Sequence, residues 1–118
     1  MQNFRNLLVW QKAHELALLT YRLTADFPRD EVFGLRNSLR KTSVDIPAYI
    51  AEGCGKGNDA DFSKCLGVSL GFANRLEYYA IMARDLHMLD ELQHANYEER
   101  IIEIKKMLSG FYRQLRAP

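Results

Sequence analysis

The histidines and cysteines are the residues of this chain whose side chains most often do chemistry, and their spacing argues against a catalytic or metal site. His14, His87 and His94 form neither an HExxH nor an ExxH pattern, so the paired ligands of a metal-binding helical bundle are lacking. Cys54 and Cys65 are separated by ten residues without a CxxC pattern, which is typical of free thiols in a reducing compartment. We therefore expect no catalytic residue, no metal and no cofactor.

Arg36 and Arg40 form a like-charged pair one helical turn apart, which costs roughly 0.2–0.5 kcal/mol unless an acidic group compensates it. One interpretation is internal. Glu52 and Glu77 lie among apolar residues, where a carboxylate needs a cation, so Arg40 would form an ion pair with Glu77 or Glu52. The other interpretation is external, with the arginines contacting a phosphate backbone. Further candidate nucleic-acid contacts are Lys12, Lys56, Arg113 and Arg116. The sequence leaves both interpretations open.

Length and composition limit the range of functions. The 118 residues and 13.7 kDa predict one domain, residues 1–118, with one core. Sixteen Lys and Arg against 15 Asp and Glu give a net charge of +1, so any nucleic-acid binding must come from a local patch rather than from the overall field. We see no signal-peptide pattern, and the longest apolar runs, such as residues 7–10, are too short to span a bilayer. The sequence therefore predicts a cytoplasmic protein that does not enter membranes.

Apolar residues recur at steps of three and four in four separate segments, which predicts four amphipathic helices. The four rows are Val9, Ala13, Leu16, Thr20, Leu23 and Phe27; Leu35, Leu39, Thr42, Ile46 and Tyr49; Phe62, Leu66, Ser69, Ala73, Leu76, Ala80 and Ala83; and Tyr97, Ile101, Ile104, Leu108, Phe111 and Leu115. Pro28 ends the first helix, the glycines of "GCGKGN" end the second, and Asp59 is the expected N-cap of the third. Short links between helices favour an all-α, up-down-up-down antiparallel four-helix bundle.

Pro47 lies inside the predicted second helix, where proline costs roughly 3 kcal/mol. It shares a helix face with Arg36, Arg40 and Ser43, about a third of a turn from the core row. We expect Pro47 to spare the core and to bend the helix along this secondary face, leaving the Ser43 carbonyl without its usual partner. The kink either shapes packing alone or frames a groove for a ligand or partner.

The third helix carries a second apolar row on a different side from its core row. Its members are Cys65, Val68, Phe72, Tyr79, Met82 and Leu86. A helix that is apolar on two sides must bury both, and a chain this small has few internal partners to offer. The row therefore predicts an interface between subunits of a homo-oligomer. The alternative is that Trp10, Tyr21 and the long side chains of the first helix cover the row within the monomer.

The segment "FGLRNSLRKTSVDIPAYIAEGCGKG" resembles the signature of the four-helix-bundle proteins encoded by intervening sequences in bacterial 23S ribosomal RNA genes. That signature reads roughly GL, an Arg-Arg pair, then S-I-P-x-N-I-A-E-G-x-G. The resemblance extends over nearly the whole chain, including "LLVWQKAHELALLTYRLTADFP" and "LGFANRLEYYAIMARDLHML". Residues that depart from the family pattern are Ser38, Lys41, Asp45, Tyr49, Arg75 and His87. None of these departures removes the fold signature.

The resemblance implies a left-handed four-helix bundle that assembles into a homopentamer around a central channel. It also implies kinship with the accessory proteins of diversity-generating retroelements, which are similar bundles that bind a reverse transcriptase and nucleic acid. It assigns no activity to this branch of the family.

Two classes of function remain after these exclusions. The favoured one is a non-enzymatic, oligomeric adaptor or binding module for RNA, DNA or a protein partner, with an unknown physiological role. The alternative is a small-molecule or metal-binding bundle enzyme, for which the sequence offers no convergent polar site.

Overall fold

Helices make up nearly all of the part of the chain that the computed structural model describes, residues 3–31 and 34–116. The four long helices are α1 (Leu8–Thr24), α2 (Leu35–Cys54), α3 (Asp59–Asp85) and α4 (Glu91–Arg116). Short 3-10 turns occupy Phe4–Asn6 and Arg29–Glu31, and no strand occurs among the described residues. The predicted all-α class is therefore confirmed.

The helices pack as a bundle 47 Å long and about 20 Å across. Helix α2 packs against both α1 and α3, α4 packs extensively on α3, and a smaller α1–α4 contact closes the bundle, leaving α1 and α3 diagonally opposed. The predicted apolar rows converge on one buried core. The row members that are only half-buried are Leu23, Leu35, Tyr49, Phe111 and Leu115. The four rows therefore identify most of the core.

The N-terminus of α3 is capped by Asn58, so the predicted cap at Asp59 is wrong by one residue. The Asn58 side-chain Oδ1 accepts a hydrogen bond from the Asp61 backbone N–H at 2.9 Å. Asp59 is instead the first residue of the helix, where its carboxylate interacts favourably with the helix dipole. Asparagine and aspartate are both good caps, so residue type alone does not choose between neighbours.

Helices α2 and α3 approach closely where α2 ends. A Cβ atom added at Gly53 would lie 2.7 Å from Cδ1 of Phe62 and 2.9 Å from Cβ of Cys65. Any larger side chain at position 53 would therefore push the two helices apart. The α2–α3 link is short, so this contact determines how the chain reverses toward α3.

Pro47 lies within α2, and the helix continues through it to Cys54, as predicted. The expectation that its face lies outside the core is wrong, because Ser43 and Pro47 are both buried. Helix α2 packs against two neighbours, so its buried arc is wider than one apolar row. A hydroxyl from α3 reaches the adjacent backbone, since Ser69 Oγ donates to the Ile46 carbonyl at 2.9 Å.

Candidate partner-binding surfaces

The second apolar row of α3, here called the α3 outer row, is only partly covered by the rest of the chain. It comprises Cys65, Val68, Phe72, Tyr79, Met82 and Leu86. Val68 and Leu86 keep 43% and 51% of their surface exposed. Cys65 is buried, and the remaining three side chains are half-buried. The row therefore leaves an apolar strip along the outside of the bundle.

The cover that this row has comes from α2 and not from α1. The Tyr49 ring stacks on the Phe72 ring with centroids 5.4 Å apart and planes 18° apart, and Arg75 lies 5.2 Å above the Phe72 centroid. Among the described residues, α1 lies diagonally across the bundle from α3 and so does not border the outer side of α3. Trp10 stacks on His14, and Tyr21 lies under Arg40. The alternative that Trp10 and Tyr21 cover the row is wrong.

Glu77 and Glu52 do not pair with Arg40, so the predicted internal ion pair is wrong. Glu77 Oε1 accepts from Lys105 Nζ on α4 at 2.7 Å, and both side chains are about three-quarters buried. Glu52 lies 3.8 Å from Lys56. Glu77 faces α4, whereas Arg40 lies on the side of α2 that contacts α1. The two groups thus belong to different helix interfaces.

Arg40 is held against the C-terminal turn of α1 by uncharged groups. Its Nε donates to Thr24 Oγ1 at 2.8 Å, and its Nη2 donates to the Tyr21 carbonyl at 3.2 Å. The guanidinium carbon also lies 4.5 Å above the centroid of the Tyr21 ring. These contacts fix the direction of the side chain. They do not neutralise its charge, because no carboxylate takes part in them.

The groups that hold Arg40 continue into a buried polar chain across the bundle. Thr24 Oγ1 donates to the Thr20 carbonyl at 2.8 Å, and Thr20 Oγ1 donates to the Leu16 carbonyl at 2.8 Å. Thr20 Oγ1 also bonds the Tyr97 hydroxyl of α4. Burial raises the pKa of Tyr97 well above its ordinary value of 10. Residues of α4, α1 and α2 are thereby linked by hydrogen bonds, with the charged Arg40 at the α2 end of the chain.

The six candidate nucleic-acid residues do not form one patch. Arg36 and Arg40 share a face of α2, whereas Lys12 lies twelve residues before Thr24 on α1, about 18 Å away along the helix. Lys12 lies 3.6 Å from Glu103, and Lys56 lies 3.8 Å from Glu52. Arg113 and Arg116 lie in the last turn of α4, where Arg116 donates to the Tyr112 hydroxyl at 3.3 Å. Arg113 and Arg116 lie at the same end of the bundle as Lys56, because Leu115 lines a cavity with Gly53 and Gly57. The candidates therefore divide between the two ends of the bundle.

An additional cation, which sequence reasoning had not counted among the nucleic-acid contacts, lies beside Arg36 and Arg40. Lys41 lines a groove of about 430 Å³ together with Arg40 and Tyr21. The other residues that line this α1/α2 groove are Asn37, Val44 and Asp45. Thr20 and Thr24, two hydroxyl residues one turn apart near the end of the first helix, were a sequence signal for the hydrogen bonds that orient Arg40.

The cysteine thiols are buried, and burial raises the pKa of both Cys54 and Cys65. Each thiol is therefore mostly protonated at neutral pH, which is the less nucleophilic form. Within residues 3–31 and 34–116, no three His, Cys, Asp or Glu side chains are grouped so as to hold a metal ion. No helix in that part of the chain combines the length and the hydropathy needed to cross a membrane.

Comparisons with known proteins relate the chain to one family and to one known fold. The family model described as 23S rRNA-intervening sequence protein matches residues 5–110. A crystal structure of a protein with unknown function from the S23 ribosomal protein family of Bacteroides thetaiotaomicron VPI-5482 is similar, with a TM-score of 0.83 and 21% identity. The similarity covers 90% of this chain and 96% of that one. At this identity the structural likeness supports the fold alone. A search among curated proteins found no match.

Proposed function

The chain belongs to the 23S rRNA-intervening sequence protein family, and on that premise we propose that it is a non-enzymatic binding module that works as an oligomer. Several copies associate through the α3 outer row, and the assembly acts as an adaptor for a nucleic-acid or protein partner. On the resemblance to the family, we propose five subunits and a kinship with the accessory proteins of diversity-generating retroelements. We also assign the protein to the cytoplasm, because two free cysteines suit a reducing compartment.

The observation that carries this proposal is the exposure of the α3 outer row. Val68 and Leu86 lie on the same side of α3 as the half-buried Phe72, Tyr79 and Met82, so one strip of apolar surface follows most of the helix. A strip of this kind is stabilised when a second surface removes it from water, at roughly 25 cal/mol per Å² of apolar area. Its length, more than four turns, suits a helix from another subunit.

We propose an up-down-up-down order for the helices within each subunit. Two contacts between α1 and α4 support it. Lys12 approaches Glu103, and Thr20 bonds Tyr97, so residue numbers rise along α1 as they fall along α4. The α3–α4 contacts follow the same rule, because Glu77 pairs with Lys105 while Phe62 packs on Phe111. This order is the one that short links between neighbouring helices favour.

The experiment that tests assembly compares matched charge insertions on two sides of the molecule. Leu86→Glu places a carboxylate in the α3 outer row, and Leu92→Glu makes the same change at a position of α4 that is 80% exposed. Light scattering after size exclusion, at micromolar concentration, measures the molar mass of each variant. We expect a multi-subunit mass for the wild type and for Leu92→Glu. Leu86→Glu should shift toward the monomer, because burying an unpaired charge is costly.

Val68→Glu provides an independent test near the other end of the same row. It should dissociate the particle as Leu86→Glu does, while circular dichroism shows unchanged helix content. A monomeric wild type would contradict the assembly proposal. So would dissociation by Leu92→Glu to the same extent, because that result would trace the effect to charge rather than to the row.

A further inference from the structure

We propose that the α1/α2 groove, together with Arg36, binds single-stranded nucleic acid, with Arg40 as a pre-oriented contact to the phosphate backbone. This inference rests on the binding role proposed above and names both the partner and the surface. The groove borders the α3 outer row, because Lys41 and Asp45 also line a cavity with Phe72. The residues that line each groove all belong to one subunit.

The positive charge of this surface is not compensated by nearby ion pairs. Arg36, Arg40 and Lys41 lie within about one and a half turns of α2. The ion pairs formed among the described side chains involve none of these three residues. Asp45 also lines the groove and offsets one of the three charges. These four groups together carry a net charge of about +2, which attracts phosphate.

The side chain of Arg40 is held in a fixed direction by its contacts with α1. A guanidinium has five N–H donors, and the contacts to Thr24 and Tyr21 use one on Nε and one on Nη2. Thr24 is itself buried and bonded to α1, so the acceptor that orients Arg40 is rigid. The remaining donors belong to an arginine whose orientation is already determined. Less conformational entropy is then lost when it binds an anion.

Exposed aromatic and apolar groups in the groove favour nucleic acid over other anions. Tyr21 and Val44 line the same groove as the cations, and they keep 45% and 42% of their surface exposed. A partly exposed aromatic ring beside a positively charged groove suits single-stranded nucleic acids, because bases stack on aromatic rings while phosphates follow the charges. One face of the Tyr21 ring lies under the Arg40 guanidinium, so a base would stack on the exposed remainder of the ring. An acidic peptide would use the cations but would gain little from Tyr21.

The test measures binding of fluorescent 20-nucleotide RNA and DNA single strands by anisotropy, at about 50 and 200 mM salt. We expect the wild type to bind both, with an affinity that falls as salt rises. The variant Arg36→Gln/Lys41→Gln should bind at least about tenfold more weakly, with a salt slope reduced by about 1.4 for the two contacts removed. Tyr21→Ala should weaken binding without a change in slope.

The control removes the same charge elsewhere. Arg100→Gln/Lys106→Gln eliminates two exposed cations of α4 and should keep the wild-type affinity within about twofold. Arg40→Lys keeps the charge but loses the planar fork, so it should weaken binding while the melting temperature reports any change in folding. Arg40→Lys with unchanged affinity would overturn the assigned role of Arg40.

Three results would overturn the proposal as a whole. The first is a wild type that binds neither oligonucleotide. The second is an α4 control that loses as much affinity as the groove variant. The third is a wild type that binds a polyglutamate peptide as tightly as it binds the oligonucleotides, when the groove variant does not bind that peptide. The last result would reassign the surface to an acidic protein. Light scattering on the same samples separates these outcomes from failure to assemble, since the groove variant should keep the wild-type mass.

Discussion

The Tyr97 hydroxyl of α4 donates a hydrogen bond to Thr20 Oγ1 of α1, deep inside the bundle. The direction follows from the next link, because the Leu16 carbonyl accepts only and so takes the Thr20 proton. Tyr97 is 1% exposed and Thr20 is fully buried. Among the pairs of neighbouring long helices, α1 and α4 have the least extensive contact. This hydrogen bond therefore joins the bundle where helix packing is weakest.

Thr20→Val and Tyr97→Phe should destabilise the fold unequally. Thr20→Val leaves the buried Tyr97 hydroxyl without an acceptor, which costs about 1–3 kcal/mol. In Tyr97→Phe the Thr20 hydroxyl still donates to the Leu16 carbonyl, so the loss is about 1 kcal/mol. The double variant should lose less than the sum of the two. Urea denaturation of the four proteins measures the cycle. Additive losses would show that the two hydroxyls do not interact.

The raised pKa of Tyr97 predicts a loss of stability in alkaline solution. Below about pH 10 the phenol is protonated in both states, so it adds no pH dependence. At higher pH the unfolded chain releases this proton while the folded chain keeps it, so the free energy of unfolding falls by up to about 1.4 kcal/mol per pH unit. Tyr97→Phe should therefore show a shallower decline than the wild type. Parallel pH profiles for the two proteins would be inconsistent with the raised pKa.

Gly53→Ala should destabilise the bundle even though alanine favours helices. The new Cβ would lie 2.7 Å from Cδ1 of Phe62 and 2.9 Å from Cβ of Cys65, so α2 and α3 must separate, at about 1–3 kcal/mol. Gly110→Ala is the matched control, because its Cβ meets nothing within 4 Å. The control should gain about 0.5–1 kcal/mol from helix propensity. Thermal melts in which both variants have a higher midpoint than the wild type would contradict the close approach of α2 and α3.

Lys105 and Glu77 should couple in a double-mutant cycle, and Arg40 should not couple with Glu77. The Lys105–Glu77 pair is 2.7 Å apart and about three-quarters buried, so Lys105→Ala with Glu77→Gln should give a coupling energy of about 1 kcal/mol. Arg40→Ala with Glu77→Gln should be additive, because Arg40 bonds Thr24 on a different interface. Coupling in the second cycle and none in the first would restore the pairing expected from the sequence.

The core could be predicted from the sequence because helical periodicity depends only on residues close together in the chain. Residues three and four apart share a helix face whatever the helix packs against, so Leu39, Ile46, Leu66 and Leu76 were identified without a structure. The same rule failed for Pro47. On an isolated helix, Pro47 lies outside the apolar row of α2. In the bundle, α2 packs against both α1 and α3, and this wider contact buries Pro47.

The candidate site was less predictable, because it depends on which residues of different helices meet. One of the two interpretations of Arg40 paired it with a carboxylate, and the structure supplies a hydroxyl and a carbonyl from α1 instead. Glu77 found its cation in Lys105, 28 residues further along the chain. Spacing along one helix carries no information about the rotation and register of its neighbour, which tertiary packing determines.

The molar mass of the intact wild-type protein under native conditions tests the central proposal most directly. Native mass spectrometry resolves whole multiples of the 13.7 kDa chain. The proposal predicts a particle of several identical chains, five by family resemblance, at micromolar concentration. A chain that remains monomeric at that concentration, with the strip of Val68 and Leu86 left in water, would contradict it.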